Sequence, residues 1–146
     1  MSKHSMNKLL SLILCMMLIA ATALMFTGCG DKEEPAKQDT VTIQNGDILG
    51  TGATAFTLVV CDAEGKEVSA QIQTDKTILG EALMELGLIA GENSEFGLYL
   101  KTVNGITLDY DTDGKYWALY INDEYALTGV DSTEIEAGAT YTLKAE

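Results

Sequence analysis

Asp109-Tyr110-Asp111-Thr112-Asp113-Gly114 places acids at alternate positions and a glycine at the sixth. That is the opening half of a calcium loop, in which oxygen donors at this spacing wrap a hard cation. The second half fails. Its twelfth position, where a bidentate Glu is required, is Tyr120, and strand-like patterns flank the segment. A polar turn at Asp113-Gly114 accounts for the same residues, and no metal is assigned. The other chemistry-bearing side chains are isolated. Cys61 has no basic helper of the kind a nucleophilic thiol needs, since the only His in the chain is His4. A Cys-His or Ser-His hydrolase is therefore not expected, and the commonest zinc ligand is missing from the body of the chain. Glu92 with Glu95, and Asp123 with Glu124, fall in loop-like stretches and form no evident acid-base pair. Gly50-Thr51-Gly52 opens no helix and is followed by no phosphate-binding Lys. The reading is of a non-enzyme.

What remains is aromatic. Tyr110, Tyr116, Trp117, Tyr120 and Tyr125 crowd into a short stretch. Alternation along a strand puts Tyr116, Ala118 and Tyr120 on one side and Trp117, Leu119 and Ile121 on the other. The Trp117 side is expected to be core. The opposite side can present tyrosines, each with an apolar body and a polar tip, to a flat ligand.

The N-terminus sets the compartment. Lys3 and Lys8 precede an apolar run from Leu9 to Phe26, and Phe26-Thr27-Gly28-Cys29 follows. Charge, then apolar run, then small residues is the order of an export signal. The cysteine at its end resembles the bacterial lipobox, with Phe26 where Leu is usual. Residues 1–28 are thus expected to be a lipoprotein signal peptide, and Cys29 the lipidation site. The mature chain is expected on the outer face of a bacterial cell membrane, anchored by lipid and not spanning it. From Cys29 onward it would carry 7 Lys, no Arg and 22 acidic residues, a net charge of −15. Nucleic acid and anionic lipid headgroups are poor partners for such a surface. Residues 29–52 read as a lipid-anchored tether: charged to Asp39, with the only Pro (Pro35), then ambiguous through Gly52.

Residues 53–146 read as one small domain. Ala55 to Asp62 and Val68 to Gln73 alternate about a turn at 63–66 and form a hairpin. One helix is expected over about 77–87. Thr77 is its N-cap, Ile78, Leu79, Ala82, Leu83 and Leu86 are its apolar stripe, and Gly87 is its C′ residue. Leu88 and Ile89 pack back on the core. Gly97 to Val103 turns at Asn104-Gly105 into Ile106 to Leu108, and Lys115 to Ile121 turns at Asn122-Asp123 into Glu124 to Leu127. Thr140 to Lys144 closes the chain. The fold class is α+β: mostly antiparallel sheet with a single helix covering one face.

Several segments, in this order and spacing, are similar to a known family. They are Thr77-Ile78-Leu79-Gly80-Glu81-Ala82-Leu83, Phe96-Gly97-Leu98-Tyr99, Val103-Asn104-Gly105-Ile106 and Asp113-Gly114-Lys115-Tyr116-Trp117. Thr128-Gly129-Val130, Gly138 and Tyr141 complete the set. Together they resemble the transcobalamin-like C-terminal domain, the smaller lobe of transcobalamin and intrinsic factor, which also occurs in bacterial lipoproteins. The resemblance implies a β-grasp-related fold, ligand binding without catalysis, and a cobalamin or other corrinoid as ligand. The family holds its ligand between this lobe and a large helical lobe, so a helical partner or transporter is implied here. Carried over by position, its ligand-facing loops correspond to Phe96, Leu98 and Tyr99 in one and Tyr125, Ala126 and Leu127 in the other. The alternative from the residues alone is a scaffold whose loops bind a protein or a glycan.

Overall fold

The computed structural model of the chain describes residues 40–146. The signal segment, the proposed lipidation site Cys29 and the tether as far as residue 39 lie outside the described residues. Within the described part the fold is α+β. Six strands form one mixed sheet in the order β1-β3-β2-β9-β7-β8, and three form a second, β4-β5-β6. The first sheet comprises β1 (Asp47–Gly50), β2 (Thr54–Cys61), β3 (Glu67–Thr74), β7 (Trp117–Ile121), β8 (Glu124–Tyr125) and β9 (Thr140–Ala145). The second comprises β4 (Ile89–Ser94), β5 (Gly97–Val103) and β6 (Ile106–Thr107). Helix α1 spans Leu79–Glu85, a single turn α2 spans Tyr110–Asp113, and a 3-10 turn spans Val130–Ser132.

The expected hairpin is the longest pairing. β2 and β3 run antiparallel from Thr54 opposite Thr74 to Cys61 opposite Glu67. Alternation turns Phe56, Leu58 and Val60 inward beside Ala70 and Ile72, and all five are buried. β9 lies beside β2 in parallel, with Leu58 opposite Tyr141 and Val60 opposite Leu143. On its other side β9 pairs antiparallel with β7, with Leu119 opposite Leu143 and Trp117 opposite Ala145. Trp117 and Leu119 therefore join the same apolar face, as the alternation requires. Tyr141 is wholly buried: its ring meets Phe56 edge-on at 5.2 Å, and its hydroxyl donates to Glu134 O and accepts from Glu136 N. Cys61 is buried, and desolvation pushes its thiol pKa up, away from reactive thiolate.

Helix α1 covers that face through Leu79, Ala82 and Leu83. Its C-terminus is as expected. Gly87 adopts a left-handed φ of 69°, its N–H bonds Met84 O, and Leu88 N–H bonds Leu83 O. Its N-terminus differs. The flanking residue is Ile78, not Thr77, and no side chain caps it. Ile78 instead bridges to Glu134, and Leu79 N–H donates to Thr133 O at 2.9 Å. A neighbouring backbone satisfies the orphan donor that a cap side chain would otherwise take.

Further findings concern the strands and turns. The mostly antiparallel character is as expected, and the two parallel pairings, β1 with β3 and β2 with β9, are the ones the pattern did not locate. β4 is a strand where the sequence Gly91-Glu92-Asn93-Ser94 suggested none. Packed chain also begins ahead of Ala53: β1 pairs with β3, and Ile43 is buried in the core with its N–H on Asn104 Oδ1. The acids of residues 109–114 cap α2. Asp109 accepts from Asp111 N at 2.9 Å, Asp113 accepts from Asp109 N at 3.0 Å, and Gly114 closes the turn in the left-handed region.

Candidate functional site

The two sheets leave a cleft of about 390 Å³ where β5 passes β7. Leu98, Tyr99 and Leu100 of β5 form one wall. Tyr116 through Leu119 form the other, and the segment from Tyr125 to Val130 closes the third side, with Leu143 at the base. The floor is apolar, since Leu100, Trp117, Leu119, Val130 and Leu143 all belong to the core. Tyr99, Tyr116 and Tyr125 stand among its lining residues.

Each wall has an identifiable support. Trp117 is buried, and its indole N–H donates to Lys101 O at 3.0 Å, tying β7 to β5 at one end of the cleft. At the other end Asp131, on the 3-10 turn, accepts the Leu98 N–H at 3.0 Å. This carboxylate sits so close that a Cβ on Gly97 would lie 2.5 Å from Asp131 Oδ2, and one on Gly129 would lie 2.8 Å from Oδ1. Two glycines thus make room for one carboxylate, which binds the β4–β5 hairpin to the loop after β8. The Thr133 hydroxyl, buried, donates to Gly129 O at 2.8 Å and holds that loop in shape. Asp131 was not singled out from sequence. The Leu98 N–H it binds is 33 positions away, and no local pattern joins the two.

The tyrosines beside the cleft interact with one another and with Glu146, but the strand face expected to present Tyr116 and Tyr120 together is not the cleft: Tyr120 and Tyr110 do not line it. Tyr120 and Tyr125 meet edge-on at 5.4 Å, and Tyr110 meets Tyr116 at 6.5 Å. Glu146 accepts from the Tyr120 hydroxyl at 2.6 Å, from Lys144 at 3.1 Å and from Tyr116 at 3.4 Å. The Tyr120 hydrogen bond, then that of Lys144, holds the Glu146 carboxyl below its ordinary value. On the β5 side Lys101 pairs with Glu92 at 3.2 Å and Asp109 at 3.5 Å, and the Glu92 contact raises its pKa.

Of the residues named from the family's loops, Leu98, Tyr99, Tyr125, Ala126 and Leu127 all line this cleft. Phe96 does not. It stands at the tip of the β4–β5 hairpin, 99% exposed, while Leu127 at the rim is 98% exposed. Trp117, Leu119 and Val130 line the cleft as well, although the sequence pointed to them, where it pointed at all, as core. No titratable base stands against a nucleophile among the lining residues. Among the described residues, no three His, Cys, Asp or Glu side chains converge to hold a metal ion.

Residues 75–146 match the profile of a family described as a domain of unknown function, DUF4430. A solved protein from Ruminococcus gnavus ATCC 29149, described provisionally as metal-binding, is similar over 64% of this chain and 97% of its own. The identity is 29% and the TM-score 0.61. Haptocorrin, solved in complex with Cbi, shares 15% identity at a TM-score of 0.49, over 67% of this chain and 26% of haptocorrin. No curated protein matches the sequence.

Proposed function

We propose that this chain is a non-enzymatic, lipid-anchored binding module on the outer face of a bacterial cell membrane. Its β-grasp-related, transcobalamin-like domain takes a soluble ligand in the cleft between β5, β7 and residues 125–130. The observation that carries the reading is the cleft itself: an apolar floor, three tyrosines in its lining, and walls tied by Trp117 and Asp131. Such a surface suits a flat, partly apolar ligand with polar edges. By the transcobalamin-like resemblance that ligand is a cobalamin or another corrinoid, captured with a helical partner or a transporter that also covers Phe96 and Leu127. The R. gnavus protein's description raises a metal instead. Here Asp131, the acid tied to the cleft wall, is engaged on Leu98 N–H, and Glu146 is engaged by Tyr120 and Lys144, so the ligand is read as organic.

Isothermal titration of the full-length chain in detergent with cobalamin, alone and with a co-purifying helical partner, tests the ligand. Saturable heat is expected, and no heat in either arrangement would remove the corrinoid. The anchor has its own test. Cys29→Ala should abolish incorporation of labelled fatty acid, and a variant as lipidated as wild type would refute the lipoprotein reading.

A second reading, a protein- or glycan-interaction scaffold, is favoured by one observation. Phe96 and Leu127 stand almost wholly in solvent on the two loops that flank the cleft, and paired apolar tips of this kind mark macromolecular contacts. Retention of cobalamin heat in a Phe96→Ser, Leu127→Ser double variant would separate these tips from the small-ligand site.

A further inference from the structure

We propose that the cleft accepts an extended, basic peptide segment of a partner protein, which adds as a strand along the stretch of β7, at Trp117 and Leu119, that β8 leaves unpaired. The proposal rests on the reading of this cleft as a binding site and names a macromolecular occupant for it.

The first argument is which atoms form the walls. Consecutive residues of a strand point their side chains to opposite faces. Yet the cleft is lined by three consecutive residues of β5 and four consecutive residues at β7. Walls that include both parities are strand edges, where the main chain itself is presented.

The second is hydrogen-bond parity. Tyr116 and Glu146 exchange both of their main-chain hydrogen bonds, and Asn122 N–H bonds Thr140 O. Between those two points the β7–β9 ladder runs without a shift. The groups of Ala118 and Tyr120 must then face β9, and those of Trp117, Leu119 and Ile121 must face away from it. On that far side β8 pairs only with Tyr120 and Ile121, and Ala126 N–H reaches Leu119 O. The chain then leaves the sheet. The Trp117 N–H and C=O and the Leu119 N–H are left directed along the line that β8 abandons. Among the described residues no hydrogen bond to them is present.

The opposite wall is built to match. Leu98 turns its N–H away from β4, to Asp131. The β4–β5 register passes from Gly91 opposite Leu100 to Ala90 opposite Thr102, which leaves Lys101 as a bulged residue. Bulges turn main-chain groups away from their own sheet. Lys101 O receives Leu108 N–H, which continues the β5–β6 pairing within its own sheet, and in addition the Trp117 indole N–H from β7. An incoming strand beside β7 would lay alternate side chains on the Leu100 and Leu143 floor and on the faces of Tyr116 and Tyr125. Main-chain pairing supplies affinity and such alternate pockets supply selectivity.

The third argument is charge. No Lys lines the cleft, and Lys101 and Lys144, on the strands that meet there, are paired with Glu92 and Asp109 and with Glu146. Glu95, Asp123 and Glu124, at the two hairpin tips beside it, have no ion pair among the described residues. Lys or Arg on the incoming strand complements them.

Short linear peptides displayed on phage, selected against the full-length chain in detergent, test the idea. Selected peptides should alternate apolar residues with Lys or Arg. A synthetic selected peptide should slow hydrogen exchange at the Trp117 and Leu119 amides. N-methylation of its β7-facing amides should weaken binding about ten-fold, while methylation of the intervening amide should not. Failure of any peptide to enrich, or a selected peptide that protects neither amide, overturns strand addition. If peptides fail while cobalamin still gives heat, only this inference falls; if both fail, the cleft is not the binding site.

Discussion

Trp117 and Tyr125 line the same cleft but have opposite relations to stability. The indole is buried among core residues and donates to Lys101 O, so Trp117→Ala should cost about 3–5 kcal/mol. A domain with roughly 5–15 kcal/mol in total would then melt far earlier. Trp117→Phe keeps most of the packing and should lose about 0.5–1.5 kcal/mol, the net worth of the hydrogen bond. Tyr125 is 54% exposed, so Tyr125→Ala should leave the melting point close to wild type while weakening the ligand. Thermal melts of the three variants check this ordering. Glu146 gives the pH dependence. Its folded pKa is depressed by Tyr120 and then Lys144. The stability it contributes is therefore fully present above its unfolded pKa and is lost as pH falls through the lower, folded value. Tyr120→Phe removes the first of those donors. Melts across the acidic range should show wild type and Tyr120→Phe separated near neutrality and converging as the medium turns acid. A constant gap would mean the Tyr120–Glu146 bond has no linked effect. These residue-level roles were partly legible. Trp117 as core followed from its apolar alternation with Leu119 and Ile121. The Glu146 and Asp131 contacts did not, because each joins residues far apart in sequence.

At the scale of elements, the turns were the most readable feature and the strand edges the least. Asn104-Gly105 and Asn122-Asp123 take positive φ at both positions, 51° and 77°, then 48° and 69°. Few other side chains tolerate that backbone, so the turn residues disclose the hairpins. β4 was hidden because its exposed residues, Gly91-Glu92-Asn93-Ser94, carry no alternation. It forms by pairing with β5, not by burying a face of its own. The N-terminus of α1 was misplaced for a related reason. A threonine in a capping position counts for little when a distant backbone carbonyl reaches the same donor. The hairpin-to-loop tie at the cleft is testable at this scale. Gly97→Ala meets both a φ of 105° and the Asp131 carboxylate, and should destabilise by more than about 1 kcal/mol. In an Asp131→Ala background the steric part disappears. Urea unfolding of the two single variants and the double should therefore show a double-mutant cost well below the sum. Strict additivity would show that the two elements are not coupled through that carboxylate.

For the molecule as a whole, α+β character and the layering of one face under α1 followed from pattern alone. The two parallel pairings did not, since alternation fixes which face is buried but not which strand lies beside which. The most consequential of these is β9, the last strand in sequence, which lies between β2 and β7 inside the six-stranded sheet. Truncation before Thr140 should leave the β2–β3 hairpin and β7 with facing, unfilled edges. Circular dichroism and gel filtration of that variant should report an unfolded or aggregated chain. A cooperative melt would show that β9 is dispensable. The same placement bears on timing. A sheet whose middle is its final segment cannot be finished while that segment is still being synthesised. For a chain read as leaving the cell through a narrow channel, late closure is an advantage. On the proposed export route the polypeptide would stay threadable until Thr140–Ala145 had crossed, and would acquire its shape only on the far side.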